Sequence, residues 1–329
     1  MCLIGGVGIS QADDGQVLNS TVSTELRGLS VVDDRVVWAS GAQNTVVRTL
    51  DGEHWQTLPA PAGQYDFRDI EAFDQNNAWL MSAGPAAAST LWQTQDGGQS
   101  WQLRFSNRDD AGFWDAIGFW DRQRGFIFGD PVQGRFQIWL TQDGGLSWTP
   151  SPNDGMPAAL AGEGAFAASG TCAVAASGGR LAFVTGSAAR ARAFVSQDFA
   201  QHFIVADLPI TVSVASQGAF SIAWLDAQTL LAVGGDYKQP NLAGTNAAIS
   251  RDGGKTWQPF EFTMPGFLSG VAARNNDIVV TGLAGSAYGQ RAAKFTALNA
   301  TPFNAIQFGQ QWIYAAGPKG SLARWKLKE

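Results

Sequence analysis

Histidine is almost absent from this sequence of 329 residues, which contains only His54 and His202. A Ser-His-Asp hydrolase needs a histidine base, and most catalytic zinc sites need several histidine ligands. Both histidines also fall inside short hairpin motifs, described below, that we interpret as structural. The sequence lacks a P-loop and a dinucleotide-binding glycine fingerprint at a strand-to-helix junction. We therefore expect neither a metal nor a cofactor.

Positive charge and cysteine are scarce as well. Twenty-two Lys and Arg residues face 28 Asp and Glu residues, giving a formal net charge of −6. An acidic chain without a basic cluster is a poor partner for nucleic acid or an anionic membrane surface. Cys2 and Cys172 form no disulfide framework, and Cys172 lies in an Ala/Val-rich run typical of a buried strand.

The chain has no apolar run long enough to span a bilayer. Residues 2–10 are apolar and glycine-containing, and Gln11-Ala12 and two aspartates follow them. This pattern is typical of the end of a secretory signal, although a disordered tail is an equal alternative. We assign residues 1–14 to a signal remnant or tail and 15–329 to one domain. We expect a periplasmic or secreted location, with the cytoplasm left open, and a monomer.

An eight-residue motif organises the rest of the chain. Thirty-nine glycines, 13 tryptophans and only 15% charged residues favour many short strands and tight turns. The motif occurs in full at Thr94–Trp101, Thr141–Trp148 and Ser250–Trp257. Degenerate copies lie at Thr49–Trp55 and Ser196–Phe203.

Each copy has the chemistry of a tight hairpin. The Asp accepts bonds from the following backbone N–H groups, the glycines supply positive φ, and the Trp carries apolar surface under the turn. Apolar runs flank each copy, so each is a strand–turn–strand unit. The pattern resembles the Asp-box of sialidases and related β-propellers. We assign structural roles to these Asp-box residues: Asp51, Asp96, Asp143, Asp198, Asp252, Trp55, Trp101, Trp148 and Trp257.

The spacing of the motif predicts an all-β propeller. The aspartates fall at 51, 96, 143, 198 and 252, so successive copies are 45 to 55 residues apart, a length that suits a four-stranded blade. A second pattern, an apolar strand ending in Gly, occurs seven times, from residues 35–41 to residues 311–317. We therefore predict seven blades; six remain an alternative if the last two repeats merge.

The last repeat lacks a fourth strand. It ends at residues 322–327, whereas residues 16–21 form a strand with no blade of its own. Pairing the two would close the ring and remove an exposed edge. We therefore predict that the N-terminal strand completes the C-terminal blade.

The Asp-boxes follow the third strand of each blade, so they should share one face of the propeller. Loops that depart from the repeat are the usual binding elements, and here they cluster on the opposite face. Aligned inner strands place a ring of residues at the channel mouth on that face: Arg27, Arg68, Asp115, Phe220, Ser269 and Asn304, with blade 4 aligning poorly near Glu163.

Two interpretations of this polar ring remain open. Its members could pair with one another to fill a wet channel, or they could bind a protein partner or a small polar or carbohydrate ligand. In the second case the arginines are possible carboxylate or phosphate clamps. The candidate binding residues are Arg27, Arg68, Asp69, Asp115, Asp130, Arg135, Glu163, Arg192, Asp236 and Tyr237.

The sequence Leu26-Arg27-Gly28-Leu29-Ser30, the run Asp66-Phe67-Arg68-Asp69, the Asp-boxes and the blade spacing resemble the photosystem II stability/assembly factor family, in particular its relatives in non-photosynthetic bacteria. The resemblance covers most of the chain. It implies an exported, non-catalytic propeller that binds a protein through an arginine-bearing face. Arg27 and Arg68 are then candidate contacts. The oxidoreductase label that some relatives carry has no supporting motif here.

The alternative is a sialidase-like glycoside hydrolase, a more distant resemblance. Leu26-Arg27-Gly28-Leu29 keeps the arginine of the sialidase motif but lacks its proline. Two carboxylates that face each other across the channel could perform glycoside chemistry. The residues that would carry such a reaction are Asp115, Glu163, Asp236 and Tyr237.

Overall fold

The computed structural model describes residues 15–152, 155–261, 266–291 and 295–327. These residues form seven four-stranded antiparallel sheets and two short 3₁₀ turns, Ala86–Ala88 and Pro318–Gly320, with no α-helix among them. The prediction of an all-β, seven-bladed propeller is confirmed, and the six-blade alternative is wrong. The proposed signal remnant, residues 1–14, lies outside the described residues.

The strands follow one another in chain order within six of the blades. After β1 (Gln16–Leu18), blade 1 contains β2 (Leu26–Val31), β3 (Val37–Gly41), β4 (Thr45–Thr49) and β5 (Trp55–Thr57). Blade 2 contains β6 (Phe67–Ala72), β7 (Ala78–Ser82), β8 (Thr90–Thr94) and β9 (Gln102–Ser106). Blade 3 contains β10 (Trp114–Phe119), β11 (Gly125–Val132), β12 (Arg135–Thr141) and β13 (Thr149–Pro150).

The remaining blades continue the pattern. Blade 4 contains β14 (Ala173–Ala176), β15 (Arg180–Val184), β16 (Arg192–Ser196) and β17 (Ile204–Asp207). Blade 5 contains β18 (Gln217–Trp224), β19 (Leu230–Asp236), β20 (Ala247–Ser250) and β21 (Gln258–Pro259). Blade 6 contains β22 (Gly270–Arg274), β23 (Asp277–Gly282), β24 (Gly285–Gln290) and β25 (Thr296–Asn299). Blade 7 contains β26 (Ala305–Phe308), β27 (Trp312–Ala316) and β28 (Leu322–Lys326).

The N-terminal strand completes blade 7, as predicted. Gln16 lies opposite Arg324 and Leu18 opposite Leu322 in an antiparallel pairing. The strand ends at Leu18, three residues earlier than the predicted run, and Thr21 adopts a positive φ of 64°. Arg324 donates from Nε to Gln16 (2.8 Å) and from Nη2 to Glu53 of blade 1 (2.5 Å), so one side chain joins three parts of the closure.

The hydrophobic core lies between adjacent blades. Because each sheet packs on a neighbour at both faces, the second strands β3 and β7 are buried along their whole length. Tryptophans fill the spaces between the first three blades, where Trp38 packs between blades 1 and 2, and Trp79, Trp114 and Trp148 pack between blades 2 and 3. The channel walls are thereby held in a fixed ring.

The Asp-box turns have the predicted hydrogen bonds. Asp143 accepts bonds from the Thr141 hydroxyl (2.8 Å), the Ser147 N–H (2.9 Å) and the Ser147 hydroxyl (2.6 Å). These bonds, led by that of the Ser147 hydroxyl, lower the pKa of Asp143 to about 2. In the degenerate copies a histidine replaces the hydroxyl residue: Nδ1 of His54 lies 2.8 Å from Asp51, and Nδ1 of His202 lies 2.7 Å from Asp198. Both histidines therefore complete Asp-box turns.

Candidate functional site

The two faces of the propeller are distinguished by their turns. The backbone N–H of Gly97 donates to Asn76 O (3.0 Å), and Gly144 and Gly253 make the equivalent bonds in their blades. Each of these bonds joins an Asp-box to the turn between the first and second strands of the same blade. The Asp-boxes therefore share a face with those turns. The connections between blades lie on the other face.

A cavity of about 460 Å³ opens at the channel mouth on this other face. We call it the mouth cavity. Six aligned inner-strand positions line it: Arg27, Arg68, Asp115, Phe220, Ser269 and Asn304. Glu25, Phe113, Asp130, Phe166, Tyr237 and Phe267 also line it. The repeat therefore places equivalent residues of six blades around one concave site.

Both arginines of the mouth cavity already have a carboxylate partner. Arg27 Nη2 lies 3.0 Å from Glu25, and Arg68 Nε donates to Asp66 at 2.8 Å. Burial, followed by the neighbouring charge of Arg68, lowers the pKa of Arg27, although Glu25 opposes the shift. Arg27 and Arg68 are therefore engaged in ion pairs and are not unpaired guanidinium groups that wait for a carboxylate or phosphate ligand.

Two carboxyl groups of blade 3, Asp115 and Asp130, form no ion pair with a described residue, although the positive charge of Arg68 acts on Asp115. Asp115 is 1% exposed, and its Oδ2 has no hydrogen-bond partner among the residues that the structure describes. Burial, together with the charge of Asp130, raises the pKa of Asp115 well above its ordinary value. Asp130 accepts a 2.8 Å bond from the Ala165 N–H, and burial raises its pKa too.

Aromatic rings form another part of the cavity wall. Phe166 stacks on Phe220 with ring centroids 3.7 Å apart, and Phe267 meets Phe220 edge-on at 4.7 Å. Tyr237 lies 6.1 Å from Phe220 and is 43% exposed. The mouth cavity is therefore polar on the side of blades 1 to 3 and aromatic on the side of blades 4 to 6.

A segment between blades 3 and 4 forms the floor of the cavity. Residues 164–171, which we call the channel segment, accept a bond from Arg68 at Ala167 O (3.4 Å). Its Ser169 hydroxyl donates to Ser269 O (2.9 Å), and Thr171 pairs with the Ser221 hydroxyl (2.6 Å). These partners belong to blades 2, 6 and 5, so the segment crosses the channel. Sequence alignment missed it, because blade 4 departs from the repeat here.

A second cavity of about 160 Å³ lies on the Asp-box side of the channel segment. Asp69 and Glu71 line it together with Ser169 and Gln307. Asp69 accepts bonds from the N–H groups of Ile70 (2.9 Å) and Ile117 (2.8 Å). Burial raises the pKa of Glu71 to about 7, and burial and the charge of Glu71 raise that of Asp69. Asp69, one of the candidate binding residues, therefore lines this second cavity and not the mouth cavity.

The structure brings together Arg27, Arg68, Asp115, Asp130 and Tyr237, but it does not place the other candidates on the wall of the mouth cavity. Glu163 and Arg192 form a buried ion pair, because the Glu163 carboxylate accepts from Arg192 Nε (2.8 Å) and from the Thr185 hydroxyl (2.6 Å). Asp236 is buried beside Tyr237 and accepts from the Lys238 N–H (2.9 Å). Arg135 is exposed in a separate depression beside Gln133. Glu163, Arg192, Asp236 and Arg135 therefore do not line the mouth cavity.

Among the described residues, no group of three or more His, Cys, Asp or Glu side chains could hold a metal ion. Within the same residues, no helix has the length and apolar character needed to cross a membrane.

Comparisons with known proteins agree with this architecture. The family model described as photosynthesis system II assembly factor YCF48 matches residues 11–139. A search of curated proteins finds no match. A solved structure of the GH74 enzyme from Niastella koreensis has a TM-score of 0.60 at 14% identity, with 94% of this chain and 53% of that chain covered.

Two solved YCF48 structures match almost the entire chain. YCF48 bound to D1 peptide has a TM-score of 0.69 at 16% identity, covering 96% of this chain and 98% of that one. YCF48 from Cyanidioschyzon merolae has a TM-score of 0.64 at 15% identity, covering 95% and 99%. At such identities the structures establish the fold alone. Together with the family match over residues 11–139, they bear out the predicted resemblance: the chain is similar to the YCF48-like BNR-repeat β-propellers.

Proposed function

We propose that this chain is a non-enzymatic binding or assembly propeller that holds a protein partner at the mouth cavity, opposite the Asp-boxes. The structure of YCF48 bound to D1 peptide supports a peptide or protein as the ligand class for this kind of propeller. In this proposal the chain acts as a monomer, and the partner is recognised by loops that depart from the repeat.

The observation that carries the proposal is the combination of the mouth cavity with an exposed apolar rim. Seven large hydrophobic side chains are exposed among the described residues. Three of them lie on two neighbouring loops: Val214 on the connection from blade 4 to blade 5, and Tyr237 and Leu242 on the loop between β19 and β20. Hydrogen bonds between Thr211 and Thr245 and between Tyr237 and Ser216 hold these loops together. Exposed apolar side chains that adjoin a concave polar site are typical of a protein-binding surface.

Site-specific photo-crosslinking tests the proposal. A photoreactive phenylalanine analogue replaces Leu242, which is 44% exposed at the rim, or Leu146, which is 69% exposed in an Asp-box turn. We expect irradiation in source-cell extract to give a discrete protein adduct from position 242 and none from position 146. Equal labelling from both positions, or no adduct from position 242, would overturn the proposal.

A glycoside hydrolase is the second candidate, because Asp115 and Asp130 line the same cavity and burial raises the pKa of both. A carboxyl with a raised pKa is suited to act as a general acid in glycoside cleavage. A panel of fluorogenic glycosides, including sialosides, distinguishes the two functions. Turnover that Asp115→Asn abolishes would replace the binding proposal with an enzymatic one.

We extend the proposal to an extracytoplasmic location, on the apolar composition of residues 2–10. Fractionation of source cells, with an antibody against the propeller, tests this part. Recovery in the cytoplasmic fraction alone would refute it without affecting the binding proposal.

A further inference from the structure

Six large apolar or aromatic side chains line the mouth cavity without belonging to the cores between the blades. They are Phe113, Phe166, Phe220, Tyr237, Phe267 and Leu283. None of the seven core clusters in the described part of the chain contains any of them. Apolar side chains that surround an open concavity, outside a packed core, are typical of a binding surface.

Two of these side chains present apolar surface that the other rings do not cover. Phe220 is 2% exposed, because it contacts Phe166 on one side and Phe267 on another. Phe113 and Leu283, by contrast, are half-buried, and both line the cavity. The aromatic cluster is therefore complete in itself, whereas Phe113 and Leu283 still have surface that a ligand can cover.

Both side chains extend from backbone that is held in place. Phe113 directly precedes blade 3, and its carbonyl accepts a 2.9 Å bond from the Asp130 N–H. Leu283 lies in the turn of blade 6 that the pairing of Gly282 with Gly285 closes. The two positions are three blades apart in the ring of seven, so a ligand would meet apolar surface from separate parts of the wall. A wall that is already ordered lowers the entropic cost of binding.

The charges of the wall are balanced within the protein. Arg27 and Arg68 each pair with a carboxylate, and the positive charge of Arg68 also acts on Asp115. Burial raises the pKa of Asp115 and of Asp130, which favours their uncharged forms. A charged ligand group would therefore lose its hydration without gaining a free charge of opposite sign.

The size of the cavity suits a large side chain of a protein. Its volume of about 460 Å³ is about three times the roughly 150 Å³ of an apolar cavity that holds one benzene ring. A ring or a branched side chain would fit together with part of the backbone that carries it. Tyr237 lines the cavity and belongs to the same loop as the exposed Leu242, so a protein that lies on this rim can reach the cavity.

We propose that the mouth cavity takes a large uncharged apolar side chain, of the size of phenylalanine or leucine, that a protein partner inserts against Phe113 and Leu283. This inference rests on the proposed function and specifies the partner: a segment with one exposed apolar anchor residue, flanked by residues that contact Tyr237 and Leu242. Such buried anchors carry much of the binding energy of protein interfaces.

The first test uses small probes and the whole purified chain. N-acetyl-phenylalanine methylamide is titrated and followed by NMR. The alanine, lysine and glutamate analogues of this probe serve as the small, cationic and anionic controls. We expect the phenylalanine probe to bind at least roughly tenfold more tightly than any of the three, because only its side chain removes a large apolar area from water.

Variants at two positions locate the binding. Leu283→Ala and Phe113→Ala should each weaken binding of the phenylalanine probe about fivefold, and neither removes a residue of the cores between the blades. Leu283→Met keeps the apolar volume and should stay within about twofold of the parent chain. Leu146→Ala, the same truncation in an Asp-box turn, should leave the affinity unchanged.

The second test combines Leu283→Ala with the photoreactive residue at position 242. We expect this change to lower the yield of the protein adduct several-fold, and Leu146→Ala to leave the yield unchanged. The adduct reports on the partner itself, whereas the probes report on the cavity alone.

Several outcomes would overturn the inference: no binding of the phenylalanine probe, equal binding of the alanine probe, tighter binding of the lysine or glutamate probe, or no effect of Leu283→Ala and Phe113→Ala. If the crosslink forms and Leu283→Ala leaves it unchanged, the partner proposal stands and only the apolar anchor is wrong. If the phenylalanine probe binds but no crosslink forms, the cavity is an apolar site and a protein is the wrong occupant. If neither is observed, both proposals are wrong.

Discussion

The guanidinium of Arg192 and the carboxylate of Glu163 form an ion pair that is closed to solvent, with side chains 7% and 0% exposed. Arg192 also lies over the Phe194 ring, 4.8 Å from its centroid. Glu163 accepts a further bond from the Leu160 N–H (2.8 Å), so the pair fixes the loop that leads into the channel segment.

We therefore predict that Glu163→Ala lowers the free energy of unfolding by about 3–5 kcal/mol, because it leaves Arg192 buried without its partner. The double variant Glu163→Leu with Arg192→Met should cost less than the single change. Denaturant unfolding measures both. A mild single variant would show that the pair is not closed to water in solution.

The pH dependence of stability should depend on Glu71. Its folded pKa of about 7 exceeds its ordinary value of 4.5, so the folded chain binds more protons than the unfolded chain between these values. Stability should fall as pH rises from 4.5 to 7 and then stay lower. Glu71→Gln should raise the melting temperature at pH 8 and leave it unchanged at pH 4. The gain is at most about 3 kcal/mol, and the residual exposure of Glu71 and its coupling to Asp69 reduce it. If Glu71→Gln changed the melting temperature by the same amount at pH 8 and at pH 4, this assignment would be wrong.

Gly145 docks its Asp-box on the preceding blade. It has a φ of 85°, and a Cβ there would lie 2.4 Å from the Trp79 ring. Gly134 has a similar φ of 77° with no atom within 4 Å of its Cβ position. Gly134→Ala should cost about 1 kcal/mol from backbone strain alone, and Gly145→Ala about 2–4 kcal/mol because overpacking adds to the strain. Thermal unfolding of the two variants measures both losses, and the difference between them is the cost of the steric clash with Trp79.

The Arg68→Ala variant tests whether the polar ring at the channel mouth binds a partner or only stabilises the fold. Because Arg68 and Asp66 are 29% and 33% exposed, their ion pair should contribute no more than about 1 kcal/mol. Arg68→Ala should then change the crosslink from position 242 more than the melting temperature. Asp143→Ala should do the opposite, because it removes three turn bonds at about 1 kcal/mol each on the Asp-box face. If Arg68→Ala greatly lowered the melting temperature but left the crosslink per folded molecule unchanged, the ring would have a structural role only.

The sequence predicted the blades because each Asp-box is a local device: Thr141, Asp143 and Ser147 bond within eight residues. The ring of Arg27, Arg68 and Asp115 could be placed for a related reason, since equivalent positions in a repeat occupy equivalent points around the axis.

The channel segment could not be predicted in the same way. Its contacts with Arg68, Ser221 and Ser269 join positions 50 to 100 residues apart and follow no period. The one signal in the sequence was the 55-residue step from Asp143 to Asp198, longer than the two before it. The ion pairs that neutralise the arginines could not be predicted either. Whether Arg192 faces a ligand or Glu163 depends on side-chain direction, which composition does not specify.

The pairing of β1 with β28 also has a consequence for folding. Gln16 and Arg324, which bond in that sheet, are separated by 308 positions, so this contact has one of the largest loop-closure entropies in the chain. Until β28 has been synthesised, Leu26 and Val37 lack the part of their packing that Leu322 of the last blade supplies. Pairing of β1 with β28 is therefore expected to be a late step of folding. A nascent chain that has not yet completed this pairing exposes an unpaired strand edge that can associate with other chains.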